Sequence, residues 1–296
     1  MVLVAGATGL VGSNIVRELV RQGYKVRGLV HSQRSADRLT SMQALTVKGD
    51  ITDFDSLKPA FENVRFVFSC VGIIAETKTA SFEEIHVRGV ENLLELSKIA
   101  KIEHFVHISS LGTRENAAGR YHQTKYKAEQ AIKVSGLKYT IFRPSLIFGP
   151  EDVFVNRFAR LLKYNPIFPL IGSDKSEFQP VWVKDLVKCV VDSLKLDSAS
   201  NQIFEIGGPS QMTLRQILEI IRKQNGYSRR FYPVIPMGLV SALVKLAEKV
   251  TRRLPITSEQ LTMLQEDNTC DNSRIEAVFK IKLTSLEEGI RQYGTG

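Results

Sequence analysis

Cysteine is scarce: the 296 residues hold three, Cys70, Cys189 and Cys270, far apart and in no metal-ligand spacing. That excludes a disulfide framework and a cysteine-based metal site; the thiols are expected to be buried side chains, and no metal is expected. No apolar run reaches the length of a membrane span. No internal repeat and no low-complexity tract appears, and with 43% hydrophobic and 24% charged residues the composition is that of an ordinary globular chain. Basic blocks are absent too. The net charge of +9 is spread along the sequence, and no motif of RNA or DNA recognition accompanies it. Nucleic acid is therefore not an expected partner, and the charge reads as a solvated basic surface. Nothing resembling a signal or transit peptide precedes the first motif, so a cytoplasmic protein, or a mature form already trimmed, is expected.

That motif is the stretch Met1-Val-Leu-Val-Ala-Gly-Ala-Thr-Gly-Leu-Val-Gly12. An apolar run breaks into three glycines spaced three apart and continues with Val11, Ile15 and Leu19 at helical spacing. Gly6 lets the chain turn off the strand, Gly9 leaves room for a pyrophosphate, and Gly12 lets the helix pack against the sheet. The amides around Thr8, Leu10 and Val11 would face the phosphates. A strand on one side and an amphipathic helix on the other make this a dinucleotide-binding turn rather than an ordinary one.

The second strand, Tyr24 to Val30, ends in His31-Ser32-Gln33-Arg34, with no carboxylate before Asp37. An acidic residue there would select the ribose hydroxyls of NAD, whereas a neutral or basic end accommodates the extra phosphate of NADP. NADP(H) is therefore favoured, with NAD(H) the alternative. A third strand, Ala44 to Asp50, places Asp50 and Ile51 at the adenine side. Val64 to Val71 is a continuous apolar run, as in a parallel strand buried on both faces, and it delivers Cys70, Val71 and Gly72 to the same edge. Phe82 to Ala100 reads as one long amphipathic helix carrying His86. The uninterrupted alternation of strand and helix implies an α/β fold with a Rossmann-type, doubly wound parallel sheet.

His104 to Ser110 is the next strand, delivering Ser109 and Ser110, and Tyr121-His-Gln-Thr-Lys125 opens a helix. A tyrosine and a lysine four apart lie on one helical face. The ammonium of Lys125 is expected to lower the phenol's pKa, making Tyr121 a candidate acid/base, with Ser110, or less favourably Ser109, holding a substrate oxygen.

These residues together resemble a short-chain dehydrogenase/reductase of the extended or atypical branch: Gly6-Ala-Thr-Gly9-Leu-Val-Gly12, Asp50-Ile51, Ser109-Ser110, Tyr121 with Lys125, and Arg143-Pro144-Ser145-Leu-Ile-Phe-Gly149. The resemblance implies that Tyr121 and Lys125 are catalytic with Ser110 assisting. It also implies that the segment around Pro144 closes over the nicotinamide side. Later stretches, Ile147 to Asp152 followed by Asn156 to Ala159, then Gln179 to Asp185 and Phe204 to Ser210, are similar to the NAD(P)-binding accessory subunit of respiratory complex I and its free-standing bacterial relatives, often described as epimerase/dehydratase-like. That subunit binds nucleotide without turnover, so three functions follow as expectations: an oxidoreductase, a nucleotide-binding subunit or assembly factor tied to quinone or respiratory chemistry, and a sugar epimerase/dehydratase. His86 stands where many extended members carry an asparagine that organises a relay water; it is read either as a disrupted relay or as a helix-surface residue.

From Pro150 the pattern changes. Residues 1–149 plus 181–206 are expected to form the dinucleotide-binding domain, and 150–180 plus 207–296 a smaller, mainly helical lobe over the strand ends, where a small, hydrophobic or quinone-like substrate would lie. Within the lobe, 236–253 pairs Leu239, Leu243, Leu246 and Val250 with Lys245, Lys249, Arg252 and Arg253. It reads as a lid helix or as a peripheral contact with an anionic membrane. Nothing in the sequence fixes the oligomeric state.

Overall fold

A computed structural model describes residues 1–172, 174–238, 240 and 258–294. Seven strands form one parallel sheet: β1 (Val2–Ala5), β2 (Val26–Val30), β3 (Leu45–Lys48), β4 (Phe66–Ser69), β5 (His104–Ile108), β6 (Tyr139–Pro144) and the strand Gln202–Ile206. Their spatial order is Gln202–Ile206, β6, β5, β4, β1, β2, β3. The order reverses between β4 and β1, and the crevice beyond the carboxyl ends at such a switch point is where this architecture binds ligands.

The pleat divides the core into two layers. Val2 and Val4 of β1 join Ile15, Val16 and Leu19 of α1 (Leu10–Arg21) and Leu186, Val187, Val190 and Val191 of a later helix, Val183–Asp192. Leu3 and Ala5, on the opposite face, join Val90, Leu93 and Leu94 of the helix Gly89–Ile99 and Ala128 and Ile132 of the helix Arg120–Lys133. All four residues of β1 are buried, as the continuous apolar run requires.

Between β2 and β3 lies α2 (Gln33–Thr40), and a short α3 (Phe54–Leu57) precedes β4. The long helix read over 82–100 is two pieces in tandem, a π-helical turn Glu83–Arg88 and then α4 (Gly89–Ile99), with α5 (Arg120–Lys133) following β5. Val181–Trp182 pairs in parallel with Ile147–Phe148, and the regular helix runs Val183–Asp192.

A third cluster, separate from the two sheet layers, builds the lobe around Phe148, Leu162, Trp182, Ile217, Leu218, Ile221 and Ile290. The helices Phe154–Tyr164 and Leu214–Gln224 supply much of it. The lobe assignment of 207–296 needs one qualification. Ile275, Phe279 and Leu283 pack into the sheet-side core, and the Phe279 ring lies 5.8 Å from Phe142 and 5.1 Å from Phe204. The chain thus returns to the sheet over 273–283 before rejoining the lobe at Leu286 and Ile290. The basic segment 239–257 lies outside the described residues except for Val240. Among the described residues no helix is long and apolar enough to cross a membrane, and no cluster of His, Cys, Asp or Glu could hold a metal.

Candidate functional site

The glycine turn sits at the carboxyl end of β1, and its three glycines are held by different constraints. Gly6 has φ +79, and a Cβ there would come within 2.7 Å of the Cys70 carbonyl oxygen. At Gly12 a Cβ would lie 2.1 Å from the Gly6 carbonyl oxygen, so helix and turn are in backbone contact. Gly9 is different: a Cβ would meet only Gly6 O at 3.5 Å, an ordinary contact. Nothing in the folded chain demands glycine at 9, and the space it leaves opens to the crevice. Gly9 is also the N-cap of α1, with no side-chain cap and no acidic residue in the first turn. The amides of Leu10, Val11 and Gly12 therefore lack intrahelical acceptors and suit an anion. The residues present fit a pyrophosphate.

At the end of β2, His31, Ser32 and Arg34 are exposed. The Ser32 hydroxyl already accepts the Ser35 amide as the cap of α2. Asp37 accepts a hydrogen bond from Gln33 at 2.9 Å, and Asp50 accepts two from Thr52 at 2.8 Å. Those bonds, with the nearby His31, hold the Asp50 carboxyl below its ordinary range against the opposing effect of burial, the largest single influence on it. Ile51 is buried against Gly89, and its carbonyl accepts the Asn92 amide. A residue the sequence reading missed lies here. Arg38 donates to the Thr8 carbonyl at 3.1 Å and pairs with Glu151, which also holds Arg17 at 2.9 Å. Its spacing of four from Arg34 on α2 was the available signal.

Cys70, Val71 and Gly72 follow β4. Burial pushes the Cys70 thiol up to about 12, so it is no nucleophile. Lys125 reaches the same place from α5: its ammonium donates to the Ile108 carbonyl at 3.1 Å, and a Cβ on Gly72 would lie 3.1 Å from Nζ. Only 4% exposed, Lys125 has its pKa pushed down to about 8 by burial, with Cys70 and Glu129 pulling the other way.

Tyr121 is 9% exposed and Ser110 faces its hydroxyl, while the Ser110 hydroxyl donates to the Leu111 carbonyl at 3.1 Å. The structure thus brings Ser110, Tyr121 and Lys125 to one edge. The expected electrostatics do not hold, however. Burial raises the phenol's pKa, the facing Ser110 hydroxyl opposes this only in part, and the Lys125 ammonium is engaged by Ile108. Ser109 is the wrong serine for a substrate oxygen: its hydroxyl donates to Glu129 at 2.6 Å. Glu129 is fully buried and also takes both Nε and Nη2 of Arg143, at 2.9 and 2.6 Å. Arg143 thus braces α5 against β6, while Pro144 is buried at the strand end.

His86 is not a surface residue; it is 1% exposed. Its Nε2 accepts the Ile73 amide at 3.1 Å, so the proton lies on Nδ1, which faces Thr124 Oγ1 at 2.9 Å. Thr124 in turn donates to the Arg120 and Tyr121 carbonyls. Burial first, then the Lys125 charge, depress its pKa to about 3. His86 is a neutral tie between the Gly72–Ile73 loop and the Tyr121 helix. A second tie comes from the lobe: Glu259 accepts the Tyr121 backbone amide at 2.7 Å, 138 residues away in sequence and beyond any local signal.

Residues 6–152 match the NAD(P)H-binding family model. The chain carries an NAD(P)H-binding domain. Over 293 residues it is 28% identical to the mitochondrial NADH dehydrogenase [ubiquinone] 1 alpha subcomplex subunit 9 of Arabidopsis thaliana, covering 96% of this chain and 73% of that protein. It is 26% identical to the Photosystem II assembly factor Ycf39 of Cyanophora paradoxa, covering 99% and 91%. In fold it is similar to the NADPH-dependent quinone oxidoreductase QOR2 of Escherichia coli, at a TM-score of 0.77 and 17% identity over 99% of both chains. The UDP-glucose 4-epimerase of Thermotoga maritima superposes comparably, at a TM-score of 0.76 and 20% identity over 99% and 97%. The Rossmann-like α/β fold read from the sequence is thereby borne out, as is the resemblance to the complex I subunit.

Proposed function

We propose that this NAD(P)-binding protein is an NADP(H)-preferring oxidoreductase of the atypical short-chain type, acting on a small, hydrophobic or quinone-like carbonyl. The observation that carries the reading is the gathering of Ser110, Tyr121 and Lys125 at the carboxyl edge of the sheet, with Ser110 facing the buried phenol and Lys125 bonded to the Ile108 carbonyl. The nicotinamide would supply or accept hydride. Gly6, Gly9 and Gly12 with the first amides of α1 would hold its pyrophosphate, and the neutral-to-basic end of β2, with Arg38 close by, would receive the 2′-phosphate. Ser110 positions the substrate oxygen, Tyr121 transfers a proton to it, and Lys125 holds the ribose. Tyr121 starts with a raised pKa, which suits a phenol that donates a proton during reduction more than one that removes it.

The test is Tyr121→Phe with NADPH and a quinone panel. Turnover should vanish while NADPH affinity stays within about twofold, because in this reading the hydroxyl serves the reacting oxygen and not the cofactor. An unchanged rate would remove Tyr121 from the mechanism. A second reading has its own support: the relatives by sequence are named as a complex I subunit and a photosystem assembly factor. As a nucleotide-binding accessory protein, the chain would be stabilised by NADPH and would oxidise it with no substrate tried.

A further inference from the structure

The helix Phe154–Tyr164 buries Val155, Ala159 and Leu162 and leaves a second stripe outside. Arg157, Arg160, Leu161 and Tyr164, preceded by Val153, fall on one exposed face at helical spacing. The chain runs on from Tyr164 into a segment that lies beside 229–235. Phe168 and Phe231 donate to the carbonyls of Phe231 and Pro166, Ile167 bridges Phe231, and Val234–Ile235 pairs with Leu170–Ile171. Arg230 joins this segment to the end of the helix by donating to the Leu162 carbonyl. The result is a patch of large apolar side chains in water: Tyr164 is 73% exposed, Phe231 66%, Ile167 58% and Val234 47%.

Its charge is mainly of one sign. Residues 153–172 and 220–238 contain seven Lys and Arg and no Asp or Glu, and of the seven Arg222 is paired with Glu219 just outside. Apolar side chains and cations are interleaved, with Lys163 5.7 Å from the Tyr164 ring. Three occupants compete for such a surface. The chain's own segment 239–257 carries Lys245, Lys249, Arg252 and Arg253 against one Glu248, so like charges oppose its docking here. A second copy would set the same cations against each other. An anionic bilayer satisfies both components, since apolar and aromatic side chains enter the headgroup boundary while Lys and Arg neutralise it.

We propose that this face, Tyr164, Ile167, Phe231 and Val234 with Arg160, Lys163 and Arg229, rests on an anionic lipid surface. It is independent of the catalytic reading and would hold for an enzyme or an accessory protein alike. It also orients the molecule, because the lobe then faces the lipid.

Flotation of the full chain with phosphatidylcholine vesicles, with and without phosphatidylglycerol, tests it. Binding should rise several-fold with phosphatidylglycerol and fall in high salt. Ile167→Ser with Phe231→Ser should reduce it several-fold, as should Arg160→Glu with Lys163→Glu. Both side chains of the first pair are exposed, so NADPH binding by either variant should match the parent and show that the fold is intact. Absence of binding to anionic vesicles overturns the proposal. Parental binding by both double variants also overturns it, by assigning the contact elsewhere, as at 239–257. Self-association that Ile167→Ser with Phe231→Ser abolishes, without vesicle binding, makes the patch a protein interface and equally refutes a lipid partner.

Discussion

Replacing Lys125 with Met should stabilise the nucleotide-free protein near pH 7 and destabilise it at high pH. The ammonium is 4% exposed, and burial holds its pKa at about 8 against an ordinary 10.5. That difference is about 3 kcal/mol of cost for keeping the charge inside. The sign follows from proton counting. Below about pH 8 the lysine is charged in both folded and unfolded states and the cost is complete; between 8 and 10.5 the unfolded chain binds more protons, so stability rises with pH; above 10.5 the cost is gone. Met keeps the length without the charge, but it leaves the Ile108 carbonyl, now bonded at 3.1 Å, without its donor. That loss is about 1–2 kcal/mol at any pH. The variant should therefore gain about 1–2 kcal/mol near pH 7 and lose a similar amount above pH 10.5, with the difference crossing zero between. Urea unfolding of both proteins across pH 7 to 11, followed by tryptophan fluorescence and circular dichroism, measures this directly. A variant less stable at pH 7, or a difference flat in pH, would refute the reasoning.

The glycines give a paired test. Gly9→Ala should leave thermal stability nearly unchanged and lower NADPH affinity at least about tenfold, because its methyl fits the fold and fills the crevice. Gly12→Ala puts a methyl 2.1 Å from a carbonyl oxygen, so calorimetry should show a large loss of stability as well as lost binding. Glu129→Ala strips the buried partner of Arg143; since Arg143 keeps Glu205 at 3.3 Å, a loss of about 3 kcal/mol in chemical denaturation is expected, at the lower end for a broken buried pair. Arg38→Ala should weaken NADPH more than NADH in titration calorimetry, by several-fold, and an equal effect on both would place the guanidinium away from the 2′-phosphate.

What the sequence disclosed and what it hid divide along contact distance. The βαβ start was legible because Val2 to Ala5, the glycines and Ile15 to Leu19 state their roles within twenty residues. Tyr121 and Lys125 were legible as a pair because helical spacing alone puts them on one face. Their electrostatics were not, since burial and the pull of the Ile108 carbonyl depend on β5 lying beneath α5. Periodicity read His86 as part of a regular amphipathic helix, but it lies in a π-helical turn, which shifts the side chains by one position and buries it against Thr124. Ser109 and Ser110 are adjacent just past the end of β5, and only the place of Glu129 decides which of them is bound into the core. The return of Phe279 to the sheet has no local mark at all.

The energetics bear on whether this site does chemistry. Met at 125 would fold at least as well near neutral pH on the figures above, so the buried ammonium is no aid to the apo fold. Gly9 is likewise unneeded by the folded chain, and its space opens on the crevice. Both features would find a use with the proposed nucleotide bound, Gly9 at its pyrophosphate and Lys125 at its ribose. Nucleotide binding alone would account for both. Tyr121 is the residue that binding leaves over: a phenol taken out of water, its pKa raised, facing Ser110 and held in place by ties from His86 and Glu259. A scaffold protein would be served as well by Phe at that position. The comparison of Tyr121→Phe with the parent, in NADPH affinity and in turnover, therefore separates the enzyme from the accessory protein more sharply than any change to the nucleotide cradle, which both readings require.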